Sequence, residues 1–103
     1  MSLKASEKKT LRRIAHHLDS VVIVGEQGVS EGVIGETQRA LKDHELIKVK
    51  FAIGERADRQ TAVATLATAC EAEVVQQIGK VAVLYKANSK ADPKLSNVAR
   101  FAY

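Results

Sequence analysis

The chain has 103 residues and a single cysteine, so it fits one domain and has no internal disulfide framework. With 46% hydrophobic but only 4% aromatic residues, its core must be built from Val, Ile, Leu and Ala. The net charge of +4 and isoelectric point of about 9.4 favour a polyanionic partner. No apolar run approaches the roughly 18 residues that cross a bilayer. The opening Met-Ser-Leu-Lys lacks the apolar stretch of a signal peptide, so a cytoplasmic location is expected.

Residues 7–18 read as an amphipathic helix, with Ser6 as its cap. Leu11, Ile14, Ala15 and Leu18 recur on one face, and Lys8, Lys9, Arg12, Arg13 and His16 form a basic stripe on the other. The run Val21-Val22-Ile23-Val24 reads as a strand buried on both sides. After Gly25-Glu26-Gln27-Gly28, Ser30 is placed to cap a second helix reaching about Asp43. Val29 and Ile34 fit a hydrophobic staple, and Val33, Ile34, Thr37, Ala40 and Leu41 face inward. Gly32 and Gly35 each weaken that helix by about 1 kcal/mol relative to alanine, so either close packing on the sheet, the favoured reading, or close approach of a ligand backbone is expected there.

From Leu46 to Ile53, apolar residues alternate with Lys48 and Lys50, the pattern of a strand with one apolar face. A charged loop leads to a third helix from Arg59 to about Glu71. Asp58 is its candidate cap, and Val63, Leu66, Ala67 and Cys70 point inward. Glu73–Ile78 and Val81–Lys86 read as strands joined through Gly79-Lys80, which suits a two-residue type II′ hairpin. Beyond Ala87 the periodicity fails, so residues 1–86 read as one domain and residues 87–103 as a basic, mobile tail. The order α-β-α-β-α-β-β implies an α/β fold with a four-stranded mixed sheet.

Gly25-Glu26-Gln27-Gly28 lies between a strand and a helix. Such a loop can offer backbone amides to a phosphate beside the positive helix end, or it can simply be a tight turn. It is neither a Walker loop nor a dinucleotide fingerprint. The basic stripe of the first helix could follow a phosphate backbone or be a solvated face. Lys48, Lys50, Arg56, Arg59 and Lys80 are candidates to extend it. His16, His17 and His44 lack metal-ligand spacing, Cys70 reads as a buried small hydrophobe, and no set of residues demands catalysis. No cofactor, metal site or enzyme activity is therefore expected. The stacking aromatics of an RRM are missing; Phe51 and Tyr85 read as core or half-core, and Phe101 and Tyr103 fall in the tail.

From about Leu3 to Lys86 the sequence resembles the CRM domain, the chloroplast RNA splicing and ribosome maturation domain, in its bacterial single-domain YhbY-like form. The matching pieces are Leu11, Ala15-His16 and Leu18; Val22 to Gly25; Gly28-Val29-Ser30; Ala40-Leu41; His44 to Lys50; Ile78-Gly79-Lys80; and Leu84-Tyr85-Lys86. The resemblance implies a fold similar to the C-terminal domain of bacterial translation initiation factor three. It implies RNA binding through the GxxG loop (Gly25, Glu26, Gln27, Gly28) and neighbouring basic surface, and association with ribosomal RNA precursors of the large subunit. Ribosomal proteins are possible further partners. This sequence departs from the family at Glu26, where a basic residue is common and a carboxylate opposes phosphate, and at Asp19-Ser20, where the family tends to have a basic residue and a proline. The competing readings are a protein-protein interaction module on ribosomal or translation complexes and, further off, a small enzyme or phosphate-ligand domain.

Overall fold

The computed structural model describes residues 3–101. Its elements follow the order read from the sequence, with one short helix added at the end. They are α1 (Ala5–Ala15), β1 (Ser20–Val24), α2 (Glu31–His44), β2 (Leu46–Phe51), α3 (Arg56–Ala69), β3 (Glu73–Ile78), β4 (Val81–Tyr85) and α4 (Asn97–Phe101). The strands form one mixed sheet in the order β1-β2-β4-β3. β1 and β2 run parallel, whereas β4 lies antiparallel to both β2 and β3.

Alternation along the strands divides the core in two. Val22, Val24, Ile47, Val49, Phe51, Ala82 and Leu84 pack under α2 and α3. Leu46, Val75 and Val83 point to the other side and pack under Leu11, Ile14 and Ala15 of α1. One sheet face thus carries two helices, while α1 and the short α4 cover only part of the other. This asymmetry corrects the reading of β1 as buried on both sides. β1 is an edge strand; Val22 and Val24 are buried, while Val21 and Ile23 are exposed because α1 does not reach over them.

Local chemistry accounts for most element ends. The Ser30 side chain accepts from the amide of Val33 and starts α2. Lys4, not Ser6, caps α1, and Glu7 reaches back to accept from the Lys4 amide at 3.0 Å. β2 stops at Phe51, two residues earlier than expected, because the Ile53 amide donates to the Phe51 carbonyl and folds the chain out of the sheet. α3 begins at Arg56 with Glu55 as its cap, placing Asp58 in the first turn. Gly79 has a φ of +56° and Lys80 is not in the left-handed region, which agrees with the expected II′ hairpin. The close packing expected at Gly32 and Gly35 is absent. A methyl group at Gly35 would meet nothing within 4 Å, and one at Gly32 would make only ordinary contact with Ser30.

The segment after β4 departs most from the sequence reading. Instead of leaving as a free tail at Ala87, it folds back along the end of the sheet where β2 starts. Ser96 and Asn97 are buried, and Val98 packs against the cluster that includes Leu11, Leu46 and Val75. The Asn97 side chain donates to the Leu46 carbonyl at 2.7 Å, and the Leu95 carbonyl lies 2.8 Å from His44 Nδ1. Glu45 is the hub of this clasp. Its carboxylate accepts from the Asn88 amide at 2.7 Å and from the Ser96 hydroxyl at 2.6 Å. Its backbone sits at a φ of +61°, a position that usually selects glycine. Phe101 falls in α4, and Tyr103 lies outside the described residues.

Candidate nucleic-acid interface

Parallel pairing brings the ends of β1 and β2 together. The Ala52 amide donates to the Val24 carbonyl, and the Phe51 amide donates to the Lys80 carbonyl. Three connections therefore meet at one end of the sheet: residues 25–30, residues 52–55, and the Gly79-Lys80 turn. The clasp around Glu45 lies at the opposite end.

Within this loop end, the GxxG segment closes as a tight turn. The Gly28 amide donates to the Gly25 carbonyl at 2.9 Å, and Gly28 has a φ of +84°, where a β-carbon is strained. Glu26 does not point at an approaching phosphate. Its Oε1 accepts from the Gly54 amide at 2.8 Å and ties the turn to the next loop. Arg59 braces that same loop from α3, donating to the carbonyls of Ile53 (2.9 Å) and Gly54 (3.2 Å). Arg59 is thus engaged with the backbone rather than presented to solvent. Replacing Glu26 with alanine is expected to cost about 1 kcal/mol in urea unfolding, and Glu26→Gln, which keeps an acceptor, clearly less. Equal losses in the two variants would show that the Gly54 contact does not hold the turn.

The charges around this end differ by side, although the two-helix side is mixed: Arg56 is exposed in the first turn of α3 and lines a hollow with Arg59, Gln60, Gln77 and Gly79. Glu31, Glu55 and Asp58 are exposed in the first turns and caps of α2 and α3, on the two-helix side. The α1 side is basic. Lys48 and Lys50 share the side of β2 that carries Leu46, which packs under α1. Lys48 joins Arg12, His16, Gln76, Ile78 and Val81 in lining a groove of about 370 Å³ between α1 and the open sheet; Asp19 is the acid on its rim. Lys50 and Lys80 are exposed toward the loop end.

The stripe read on α1 therefore splits in use. Arg12 and His16 turn toward the sheet groove, whereas Lys9 and Arg13 are exposed but do not line it, and Lys8 is half-buried. Arg12, His16 and Lys48 line the groove, Lys50 lies on the same side of β2, and Lys80 is exposed in the turn at the loop end, the end at which the GxxG segment follows β1. The sequence reading missed the exposed apolar residues of this side, Ile23 and Ile78. Their signal was the edge position of β1 and β3, which depends on strand order.

Cys70 is buried at the end of α3, and burial raises its thiol pKa above the usual value despite the opposing charge of Lys86. It remains a neutral packing group. Among the described residues, no three His, Cys, Asp or Glu side chains gather in a metal-binding cluster, and no helix is long and apolar enough to cross a membrane.

Over residues 3–86 the sequence matches the family described as the CRS1 / YhbY (CRM) domain. The chain belongs to the CRM domain family. A Pseudomonas aeruginosa relative named "Probable RNA-binding protein" is 48% identical over 102 residues, spanning 99% of this chain and 98% of its own length. A Haemophilus influenzae protein named "RNA-binding protein" is 39% identical over 94 residues, with 91% and 95% covered. The solution structure of a hypothetical Staphylococcus aureus protein superposes with a TM-score of 0.77 at 31% identity, covering 88% of this chain and 95% of that one. The CRM fold therefore holds for this chain, as its four-stranded mixed sheet with flanking helices indicates.

Proposed function

We propose that this CRM domain is a non-catalytic RNA-binding protein that engages its target along the basic α1 side of the sheet and at the GxxG turn. The observation that carries this reading is the distribution of charge. Arg12, His16 and Lys48 line one groove, Lys50 shares their side of the sheet and Lys80 is exposed in the turn at the same end as Gly25–Gly28, while Glu31, Glu55 and Asp58, with Arg56 among them, lie in the first turns and caps of α2 and α3 on the other side. A phosphate backbone can follow such a strip, and neutralising it releases counterions. Lys9 and Arg13 add charge on the outer surface of α1, and Lys8 lies at its half-buried edge. The names of the relatives support RNA as the partner.

In this reading the turn contributes backbone amides, and Gln27 is its exposed polar side chain. Glu26 is a brace whose charge is a modest liability. Glu26→Gln keeps the brace and removes the charge, so it is expected to raise RNA affinity about two- to threefold.

The target proposed is ribosomal RNA of the large-subunit precursor, in the cytoplasm, with ribosomal proteins as neighbours. Crosslinking in cells, followed by sequencing of the attached RNA, tests this target. Reads concentrated on precursor large-subunit ribosomal RNA support the assembly role. Diffuse reads at background level overturn it and favour a protein partner on ribosomal or translation complexes.

A further inference from the structure

Two large apolar side chains lie open on the basic side of the sheet, Ile23 (64% exposed) and Ile78 (66%). Strand register arranges them in a line. Ile23 pairs with Lys50, Lys50 with Val81, and Val81 with Ile78, forming one row across all four strands. The row beside it runs Ser20, Lys48, Val83, Gln76. With strands about 4.8 Å apart, each row is roughly 14 Å long. α1 leaves this part of the sheet uncovered, and the groove lined by Arg12, His16 and Lys48 opens beside it.

We propose that the Ile23–Lys50–Val81–Ile78 row receives the unstacked bases of single-stranded RNA, with the sugar-phosphate chain on Arg12, Lys48 and Lys50. This rests on the RNA-binding reading above and names the form of RNA that the surface takes. An A-form duplex buries its base faces and presents sugars and phosphates, which would leave Ile23 and Ile78 against a polar backbone. An unstacked base offers a face that water solvates poorly, and an aliphatic side chain can cover it whatever the base. The lysines between the apolar residues suit a polyanion. A second copy docked face to face would set Arg12, Lys48 and Lys50 against their own counterparts, an unfavourable like-charge arrangement.

The test measures the affinity of the full chain for a 12-nucleotide single strand and for the same sequence in a duplex. The proteins compared are wild type, Ile23→Ser/Ile78→Ser, and Arg12→Glu, with thermal unfolding as the check on folding. The double variant is expected to lose about tenfold on the single strand and less than about twofold on the duplex. Arg12→Glu is expected to weaken both complexes. If the double variant keeps its single-strand affinity while Arg12→Glu loses it, the base-receiving row is overturned and RNA binding stands. If wild type binds neither RNA, the RNA-binding reading falls and takes the row with it; if it binds and neither variant changes affinity for either RNA, this side of the sheet is not the interface and the row is overturned. Wild type that sediments as a dimer, with a monomeric double variant of unchanged RNA affinity, overturns the row in favour of a self-association face.

Discussion

Changing Arg12, Lys50 and Lys80 together to glutamate is expected to lower RNA affinity by about two to three orders of magnitude. The three side chains are exposed and sit on α1, β2 and the β3–β4 turn, so they sample the length of the proposed strip. Each lost phosphate contact should also flatten the dependence of log K on log salt by about 0.7 for single-stranded RNA, or roughly 2 for the triple variant. Surface substitutions of this kind usually change stability by no more than about 0.5 kcal/mol each, so the thermal midpoint should stay within about 8 °C of wild type. Fluorescence anisotropy across a salt series, beside a melting curve, reads both quantities. A triple variant that binds as tightly as wild type with the same salt slope would remove this side from the interface.

Glu45→Ala is expected to be the most destabilising single change at a partly exposed position, costing about 2–4 kcal/mol in urea unfolding. The loss has two sources. The buried Ser96 hydroxyl and the Asn88 amide both lose their acceptor, and a carboxylate contact of this kind is worth more than a neutral one. Alanine also gains nothing at a φ of +61°. Glu45→Gly relieves that backbone cost but not the lost contacts, so it should be less damaging than alanine by about 1 kcal/mol. In a domain of this size, the alanine variant should melt roughly 10–20 °C lower. Its RNA affinity, measured where both proteins are folded, should be unchanged because the clasp and the loop end lie at opposite ends of the sheet. An alanine variant as stable as wild type would mean that the Glu45 contacts to Asn88 and Ser96 contribute nothing to holding the fold.

What could be read from the sequence divides along a physical line. Periodicity found the three long helices and four strands, because alternation in β2 and the 3- and 4-residue steps of α1 are local signals. The glycine turn between β1 and α2, the hairpin at Gly79-Lys80 and the inward faces of α2 and α3 were likewise local. The interface residues could be named, but their shared side followed only from strand pairing. Lys48 and Arg12 line one groove because β2 is an inner strand and α1 packs on that face of the sheet, which no spacing reveals. The bracing role of Glu26 is not legible in the sequence because its partner Gly54 lies 28 residues away. The tail looked free because its anchors are long-range contacts made by Ser96 and Asn97, residues whose composition resembles a loop. Gly35 marks the other limit: it sits in a helix with open space beside it, and the structure supplies no packing reason for it.

The measurement that bears most directly on the proposed interface is an amide chemical-shift titration of the labelled protein with a short single-stranded RNA. The expected shifts concentrate at Arg12, His16, Ile23, Gly25 to Gly28, Lys48, Lys50 and Gly79-Lys80. Glu45, Asn88, Ser96 and Asn97, at the far end of the sheet, serve as the internal reference and should stay in place. Shifts centred on the clasp or on the outer surfaces of α2 and α3, with the GxxG turn and Lys50 unmoved, would contradict the account.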